Sequence, residues 1–309
     1  MRILVLGRTG YLGRHVAGHL RGLPGARVSG AGRTPGHGVA LRIDLARDPV
    51  GRVAELIASA APDAVVNCAG ATGGDAVALA EVNARGPAVL AAALREAAPA
   101  ARLVHLGSAA EYGPGAPGTR VTESAATCPA GPYGATKLAG TAAVTGSGLD
   151  AVVLRVGNPV GPGAPVTGLP GRIASLLRTA GPDAGAVLRL GDLSAYRDFV
   201  DVRDVARAAE LAVTTAGPLP PVLNIGGGAA VRVRELVRRL ADTAHFAGRI
   251  EEDGGGSDRS ADVSWQCSDI TAADAALGWR PKHTLDESLA ALWAAARPDP
   301  HDPGGDGAP

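Results

Sequence analysis

Cysteine, lysine and aromatic residues are all scarce in this chain of 309 residues. The 3 cysteines are odd in number and show no Cys-x-x-Cys spacing, which argues against a disulfide framework and favours a reduced, cytoplasmic setting. Only 4 residues are tyrosine, and only Lys137 and Lys282 are lysine among the 30 basic residues. A motif that combines these two residue types therefore has little chance of arising at random.

Excess charge and long apolar runs are also absent. The 30 basic and 30 acidic residues cancel, so the composition gives no electrostatic reason to expect nucleic acid or a membrane as a partner. No apolar run approaches the roughly 20 residues needed to span a bilayer, and the opening residues MRILVLG lack the features of a signal peptide. The 7 histidines show no ligand spacing, so no metal site is expected.

Short apolar runs alternate with longer stretches rich in Ala, Leu and Arg in the first half of the chain. The runs lack polar alternation, which is typical of strands covered on both faces. Strands separated by helices indicate βαβ units in a parallel sheet. The predicted strands are residues 3–6, 27–31, 39–43, 64–66, 103–106 and 151–156, and the predicted helices are 12–20, 50–60, 77–98 and 133–144.

The composition changes after residue 156. Residues 157–171 are rich in Gly and Pro and are predicted to form a loop. Strands at 187–190, 199–202 and 222–225 and helices at 172–179, 205–213, 231–244 and 285–296 are predicted to follow. The tail 298–309 is rich in Pro, Gly and Asp and is predicted to be disordered.

A glycine-rich loop follows the first strand and opens the first helix. Its Gly-x-x-Gly-x-x-Gly spacing lets the backbone turn tightly and approach a pyrophosphate, which would lie at the positive helix N-terminus. An ordinary turn is the alternative in a chain with 44 glycines, but the position between strand and helix favours dinucleotide binding. The loop consists of Gly7, Arg8, Thr9, Gly10, Tyr11, Leu12 and Gly13.

The charges that follow this loop favour NADP(H) over NAD(H). An NAD site usually has an acidic residue about 20 residues further on, yet the first acidic residue of this chain is Asp44. The second strand ends in Gly32-Arg33 instead, where a guanidinium can pair with a 2′-phosphate, and Arg8 could close on the same group. Both arginines could instead be surface residues of an Arg-rich chain. Further cofactor contacts are expected at the carboxyl ends of strands, namely Asp44 and Leu45 near the adenine, Cys68, Ala69 and Gly70 near the nicotinamide, and Val156.

A Tyr-x-x-x-Lys pair, Tyr133 and Lys137, stands at the start of a predicted helix, and roughly 0.03 such pairs are expected by chance. Residues four apart share a helix face, and an ammonium beside a phenol lowers the pKa of the phenol. Tyr133 can then exchange a proton with a carbonyl oxygen. Ser108, at the end of the fifth strand, could hydrogen-bond the same oxygen, although a serine in this position could also be a turn cap. Because Tyr133 and Lys137 are also present, we assign Ser108 to the catalytic group.

These motifs, in this order, resemble the extended short-chain dehydrogenases/reductases from about residue 1 to 296. The matching segments are GRTGYLG, EVNARGP, GSAAEYG, VTESAATCPAGPYGATK, RVGNPVGPG, GDLSAYRDFVDVRDVARA, NIGGG and ALGWRPKHTLDESLAALW. GSAAEYG and LRLGDLSAYRDFVDVRDVARA are most similar to GDP-4-keto-6-deoxymannose reductases. The resemblance implies an α/β fold, a doubly wound parallel Rossmann sheet with a smaller C-terminal substrate-binding lobe, and a homodimer. We expect the Rossmann domain at 1–156 plus 198–225 and the lobe at 157–197 and 226–297.

The resemblance also implies roles for single residues. Asn83 would support the cofactor region, Asn158 would meet the sugar or diphosphate, Arg197 the phosphates, and Arg172 the nucleotide. Sugar 4,6-dehydratases place Asp-Glu where this chain has Ala109-Ala110, and the GDP-fucose synthase type has Cys in place of Ala110. Elimination of water and epimerisation beside the ketone are therefore disfavoured.

The sequence predicts NADPH-dependent reduction of a ketone, the C4 keto group of a nucleoside-diphosphate 4-keto-6-deoxy sugar. One alternative is a nucleotide-sugar 4-epimerase, which usually holds NAD tightly and so disagrees with the role given to Arg33. The others are a ketoreductase of a secondary-metabolite aglycone and a non-catalytic NADP-binding protein. Such binding proteins tend to lose the Tyr or the Lys, and this chain has both.

Overall fold

The computed structural model describes residues 1–34, 36, 38–252 and 263–296, so the predicted disordered tail lies outside the described residues. Its largest sheet has 7 strands in the order β10-β6-β5-β4-β1-β2-β3, and every pair is parallel. In chain order these strands are β1 (Arg2–Leu6), β2 (Arg27–Gly32), β3 (Leu41–Arg42), β4 (Ala64–Asn67), β5 (Arg102–Ser108), β6 (Ala151–Val156) and β10 (Val222–Ile225).

Helices cover both faces of this sheet, and β1 shows why. Ile3 and Val5 belong to one apolar cluster, with α1 (Tyr11–Leu20) and α7 (Val202–Thr214). Leu4 and Leu6 belong to a second cluster, with α2 (Val50–Ala60) and α4 (Gly86–Ala97), and α5 (Pro132–Thr145) packs on α4 and β5. Because each face is covered, the strands are apolar without alternation. The predicted doubly wound parallel sheet is confirmed.

The helix predicted over 77–98 is divided by a π turn. It consists of α3 (Ala76–Ala80), the π turn (Glu81–Arg85) and α4, with Gly86 and Pro87 directly after the turn. Such turns are frequent at functional sites, and this one carries the buried Asn83. The stretch Ala76–Ala97 is also long and apolar enough to cross a membrane, contrary to the sequence expectation. Half of its most apolar window is buried, and α4 packs against α2 and α5, so it is a core helix of this fold.

The remaining strands form two smaller sheets. A 3-stranded sheet joins β7 (Asn158–Val160), β9 (Tyr196–Asp201) and β11 (Ala230–Arg232), and a 2-stranded sheet joins β8 (Val187–Leu190) to β12 (Arg249–Glu252). A third apolar cluster lies among these strands and three helices. These three helices are α6 (Leu169–Ala180), α8 (Val233–Thr243) and α10 (Leu285–Ala295), whereas α9 (Thr271–Leu277) packs on β10 of the main sheet and on α7.

The predicted loop 157–171 was wrong at both ends, because it contains β7 and the first residues of α6. Short strands between glycines give no periodic signal, which is also why β11 and β12 were missed. The division of the chain into two domains stays a prediction. Its boundary between residues 197 and 198 lies within β9, which pairs with β7 and β11.

Candidate active site

The glycine loop is built by close backbone approaches that only glycine permits. Gly7 has φ +70°, and a Cβ there would lie 2.7 Å from the backbone nitrogen of Ala69. A Cβ on Gly13 would lie 2.0 Å from the carbonyl oxygen of Gly7. The Gly10 N–H donates to that oxygen at 2.9 Å, while Thr9 and Gly10 are exposed at the tip of the loop. The loop therefore contacts the segment after β4, as the sequence predicted for two parts of one site.

The start of α1 offers unsatisfied N–H groups to a ligand. Its N-cap is Gly10, with no side-chain cap and no acidic residue in the first turn. Such an end binds anions because its N–H groups and its dipole are both uncompensated. Tyr11 and Leu12 are half-buried, and the ring of Tyr11 packs edge-on against His15 at 5.5 Å. The buried hydroxyl of Tyr11 has no hydrogen-bond partner among the described residues. These features fit the pyrophosphate of a dinucleotide.

Arg8 and Arg33 take different positions. The side chain of Arg8 lies over Gly30, with its guanidinium against Gly38 and beside Arg21. Burial and the positive charge of Arg21 lower the pKa of Arg8, and its buried Nε has no hydrogen-bond partner among the described residues. Arg33 is exposed in the loop after β2. The surroundings of Arg8 therefore suit a bound anion. The sequence did not single out Arg21, because it lies beyond the glycine loop, at the end of α1.

Asn83 connects the loop after β4 to α5, which carries Tyr133 and Lys137. Its amide oxygen accepts the Ala71 N–H at 2.9 Å, and its amide nitrogen donates to the Ala71 carbonyl at 2.9 Å and to the Thr136 hydroxyl at 3.3 Å. A Cβ on Gly70 would lie 3.4 Å from the Asn83 amide oxygen and 4.0 Å from Nζ of Lys137. Asn83, Gly70 and Lys137 are therefore brought together. Cys68, two residues before Gly70, is half-buried. Burial raises the pKa of Cys68 to about 12, and the charge of the Lys137 ammonium opposes this rise.

The expected adenine residues and Val156 lie at the carboxyl ends of their strands. Asp44 is half-buried and accepts the Ala46 N–H at 3.1 Å, while Leu45 is buried in the core. Arg85 of the π turn donates to the Leu45 carbonyl at 2.7 Å. Val156 is 3% exposed and pairs with Ser108 across β5 and β6.

Tyr133 and Lys137 lie one turn apart on α5, and Tyr133 is half-buried. Lys137 is 5% exposed, and its Nζ donates to the carbonyl of Leu106 at 2.5 Å. Burial lowers the pKa of Lys137 to about 8, and the negative charge of Glu111 opposes that shift. A Cβ on Gly134 would lie 2.5 Å from the Ala110 carbonyl, so the absence of a side chain lets α5 approach the segment after Ser108.

Ser108 ends β5 and is 8% exposed. Its hydroxyl accepts the Ala110 N–H at 3.2 Å, which is the turn-cap contact named as the alternative in the sequence. Its backbone N–H donates to the Glu111 carboxylate at 2.8 Å. Lys137 reaches Leu106 on the same strand end, so α5 and β5 bring these two predicted catalytic residues to one place.

Of the residues expected to bind substrate, Asn158 and Arg197 lie on paired strands. Asn158 on β7 donates to the Asp198 carbonyl at 3.2 Å and to the Gln266 side chain at 3.0 Å. Arg197 on β9 is 8% exposed, burial lowers its pKa, and it donates to the Tyr196 carbonyl at 2.8 Å. Arg172 is exposed on the first turn of α6, on a different element.

Asp198 anchors this region and was missed by the sequence. Its buried carboxylate accepts the N–H groups of Gly227 at 2.6 Å, Gly228 at 3.1 Å and Ser268 at 2.9 Å. Burial raises the pKa of Asp198 to about 6, against the opposing effect of these hydrogen bonds. Its position beside Arg197 in the segment YRDF was the available signal.

Comparison with known proteins places these features in a family. The sequence model of the NAD dependent epimerase/dehydratase family matches residues 3–226 of this chain. The chain is 36% identical over 310 residues to the dTDP-6-deoxy-L-talose 4-dehydrogenase (NAD(P)(+)) of Kitasatospora kifunensis, and the match covers 95% of this chain and 95% of that protein.

Two further similarities bear on the resemblance noted in the sequence. The GDP-6-deoxy-D-mannose reductase of Pseudomonas aeruginosa is 33% identical over 105 residues, which is 34% of each chain. The solved structure of RMD from Pseudomonas aeruginosa complexed with NADPH has a TM-score of 0.81 and 25% identity, covering 95% of this chain and 98% of that one.

Proposed function

The chain belongs to the NAD dependent epimerase/dehydratase family, the extended short-chain dehydrogenases/reductases, and from this we propose that it reduces the C4 keto group of a nucleoside-diphosphate 4-keto-6-deoxy sugar. The family consists of NAD(P)-dependent enzymes that modify nucleotide sugars, so the chain is an NAD(P)-dependent enzyme. The name of the Kitasatospora relative supports C4 of a 6-deoxy sugar as the reacting carbon and dTDP as the nucleotide.

The observation that carries the proposal is the buried ammonium of Lys137, one turn from Tyr133 at the Ser108 end of β5. A positive charge in a buried site favours the phenolate form of a nearby tyrosine. Tyr133 can therefore donate a proton to the C4 oxygen during reduction and take it back in the reverse direction. The hydroxyl of Ser108 would hold the same oxygen.

The dinucleotide, when bound, supplies the hydride. Its pyrophosphate would lie on the glycine loop and the uncapped start of α1. We propose NADP(H), with Arg33 and Arg8 as the candidate partners of the 2′-phosphate. Asn83 would keep the loop after β4 in place beside the nicotinamide, and Lys137 would bind its ribose.

The residues after Ser108 also support a reaction confined to C4. The residues after Ser108 are Ala109 and Ala110, so no carboxylate or thiol stands at these two positions. Such groups are the acids and bases that elimination or epimerisation beside the ketone would need. On the substrate side, Arg197 would bind the diphosphate and Asn158 the sugar, since a guanidinium suits phosphate oxygens.

The test is turnover of a panel of 4-keto-6-deoxy sugars linked to dTDP or GDP, followed by the loss of NADPH absorbance. We expect consumption of NADPH with a dTDP sugar and a product reduced at C4. Tyr133→Phe should lower kcat by roughly 100-fold or more, because general acid catalysis contributes about that much. Retained NADPH binding in this variant would show that it is folded. Absence of turnover with every sugar would refute the substrate assignment.

A further inference from the structure

Glu111 is a fully buried carboxylate directly beside the catalytic group. It is 0% exposed, and one oxygen accepts the backbone N–H of Ser108 at 2.8 Å. The other oxygen accepts the Thr141 hydroxyl at 2.9 Å and Nε of Arg155 at 2.7 Å. Burying a carboxylate is costly unless it is paired and hydrogen-bonded. These three neighbours are all donors, so the site is built around a negative charge.

A structural ion pair would not require every one of these contacts. Arg155 on β6 and Thr141 on α5 would satisfy a carboxylate that only joins a helix to the sheet. The Glu111 oxygen that accepts the Ser108 N–H makes a separate contact, and the absence of a side chain at Gly107 leaves space for this oxygen. A Cβ on Gly107 would lie 2.7 Å from that oxygen and 2.7 Å from a methyl group of Val153.

Glu111 and Lys137 meet the same end of β5, since Glu111 accepts the Ser108 N–H and Lys137 donates to the Leu106 carbonyl. Glu111 also accepts the hydroxyl of Thr141, one turn after Lys137 on α5, and its charge raises the pKa of Lys137.

The titratable groups that face the Lys137 ammonium are His105 on β5, Cys68 after β4, Glu111 after β5, and Tyr133 on its own helix. Burial holds the pKa of His105 well below its ordinary value and raises that of Cys68 to about 12, so both are uncharged near neutral pH. Glu111 is instead surrounded by hydrogen-bond donors, and its charge raises the pKa of Lys137.

We propose that Glu111 is a positioning residue of this active site, whose buried carboxylate fixes the backbone at Ser108 and provides the counter-charge of the Lys137 ammonium. The effect of Glu111 on Ser108 rests on the proposed function, because it is measured as turnover of the proposed substrate. The effect of Glu111 on Lys137 does not, because the titration of Lys137 can be measured without substrate. Glu111 acts through these two residues and needs no contact with the substrate.

The scarcity of lysine makes the effect of Glu111 on Lys137 directly measurable. Protein labelled with ¹³C at lysine Cε has signals from Lys137 and Lys282 alone, and Lys282→Arg assigns them. We expect the Lys137 signal to titrate near pH 8 in the wild-type protein. Glu111→Gln should lower that midpoint by roughly one pH unit, since a nearby opposite charge shifts a pKa by about this much or more.

Thr141→Val is the matched control, because it removes one hydrogen bond from the same carboxylate and no charge. Its Lys137 midpoint should stay at the wild-type value. An unchanged midpoint in Glu111→Gln would overturn the counter-charge. If Glu111→Gln fails to fold because Arg155 is left unpaired, Glu111→Gln combined with Arg155→Gln removes both charges of the pair. The midpoint should still fall, because the charge of Glu111 raises the pKa of Lys137, while Arg155 is not among the groups that shift it.

The effect of Glu111 on Ser108 is tested with Glu111→Asp, which keeps the charge but is one methylene too short to reach both Arg155 and Ser108. We expect kcat to fall roughly tenfold or more, with KM for NADPH and the Lys137 midpoint unchanged. Wild-type kcat in this variant would overturn the positioning of Ser108. If the wild-type enzyme turns over none of the sugars, the proposed function fails, and the titration of Lys137 still decides the role of Glu111.

Discussion

Nζ of Lys137 donates a hydrogen bond to the carbonyl oxygen of Leu106 at 2.5 Å, so the ammonium is held against the end of β5. The ammonium is nearly excluded from water, and burial lowers its pKa from 10.5 to about 8. The proposed active site therefore retains a charge that the folded protein accommodates poorly. With the role proposed for Lys137, function and stability are opposed at this residue, as is common where activity depends on a buried charge.

Lys137→Met should make the protein more stable and inactive. A pKa of about 8 instead of 10.5 corresponds to roughly 3 kcal/mol that disfavours the ammonium in the folded protein near neutral pH. Methionine has a similar length and no charge, so the free energy of unfolding should rise by about 1–3 kcal/mol at pH 7 while NADPH-dependent turnover is lost. Denaturant unfolding measures the first effect. A variant that is clearly less stable than the wild type would contradict this account.

The same substitution has a pH signature. Between about pH 8 and 10.5 the unfolded chain binds more protons at Lys137 than the folded protein does, so the stability of the wild type relative to Lys137→Met rises with pH in that window. The advantage of the methionine variant should therefore be largest below pH 8 and shrink as pH approaches 10.5. Unfolding curves of both proteins at pH 7 and pH 10 measure the difference. An advantage that grows with pH would contradict the assigned direction.

The sequence predicted those parts of the fold and site that depend on local pattern. The glycine loop, the Tyr133–Lys137 spacing and the apolar strands of the main sheet are all encoded within a few consecutive residues. The Glu111–Arg155 pair joins residues 44 apart in the chain, and neither residue type indicates which way it faces. An Arg within the apolar run AVVLRV was the one hint that β6 buries a charge. The π turn was missed because its residues also suit an α-helix.

Gly13 and Gly18 lie on the same helix and should respond oppositely to alanine. A Cβ on Gly13 would lie 2.0 Å from the Gly7 carbonyl oxygen, so the glycine loop must move. We expect Gly13→Ala to destabilise the fold by about 2 kcal/mol or more and to weaken NADPH binding severely. Gly18 is exposed with nothing within 4 Å of an added Cβ, so Gly18→Ala should stabilise the protein by roughly 0.5–1 kcal/mol.

Thermal unfolding and NADPH fluorescence titration of the two glycine variants check this pair. Equal NADPH affinity in Gly13→Ala and Gly18→Ala would show that the loop geometry does not govern binding.

Asn83→Ala should loosen the loop after β4. The side chain exchanges two hydrogen bonds with the backbone of Ala71, and both backbone groups would be left without this partner. We expect a loss of about 2 kcal/mol in the free energy of unfolding and a raised KM for NADPH. Asp75→Ala is the control, because Asp75 caps the neighbouring α3 and its loss should cost about 1 kcal/mol without changing KM. Equal effects on KM would assign the change to general destabilisation.

Arg33 should decide the choice between the two dinucleotides. It is exposed directly after β2, and the chain has no acidic residue before Asp44 to favour an unphosphorylated ribose. Arg33→Ser should lower kcat/KM for NADPH roughly tenfold, since a hydrogen bond to a charged group contributes about 1.5–3 kcal/mol, and leave kcat/KM for NADH nearly unchanged. Arg27→Ser is the matched control, because Arg27 is also exposed and lies at the opposite end of the same strand. If both variants keep the wild-type preference, the 2′-phosphate must be bound elsewhere, and the pair of guanidiniums formed by Arg8 and Arg21 becomes the group to substitute next.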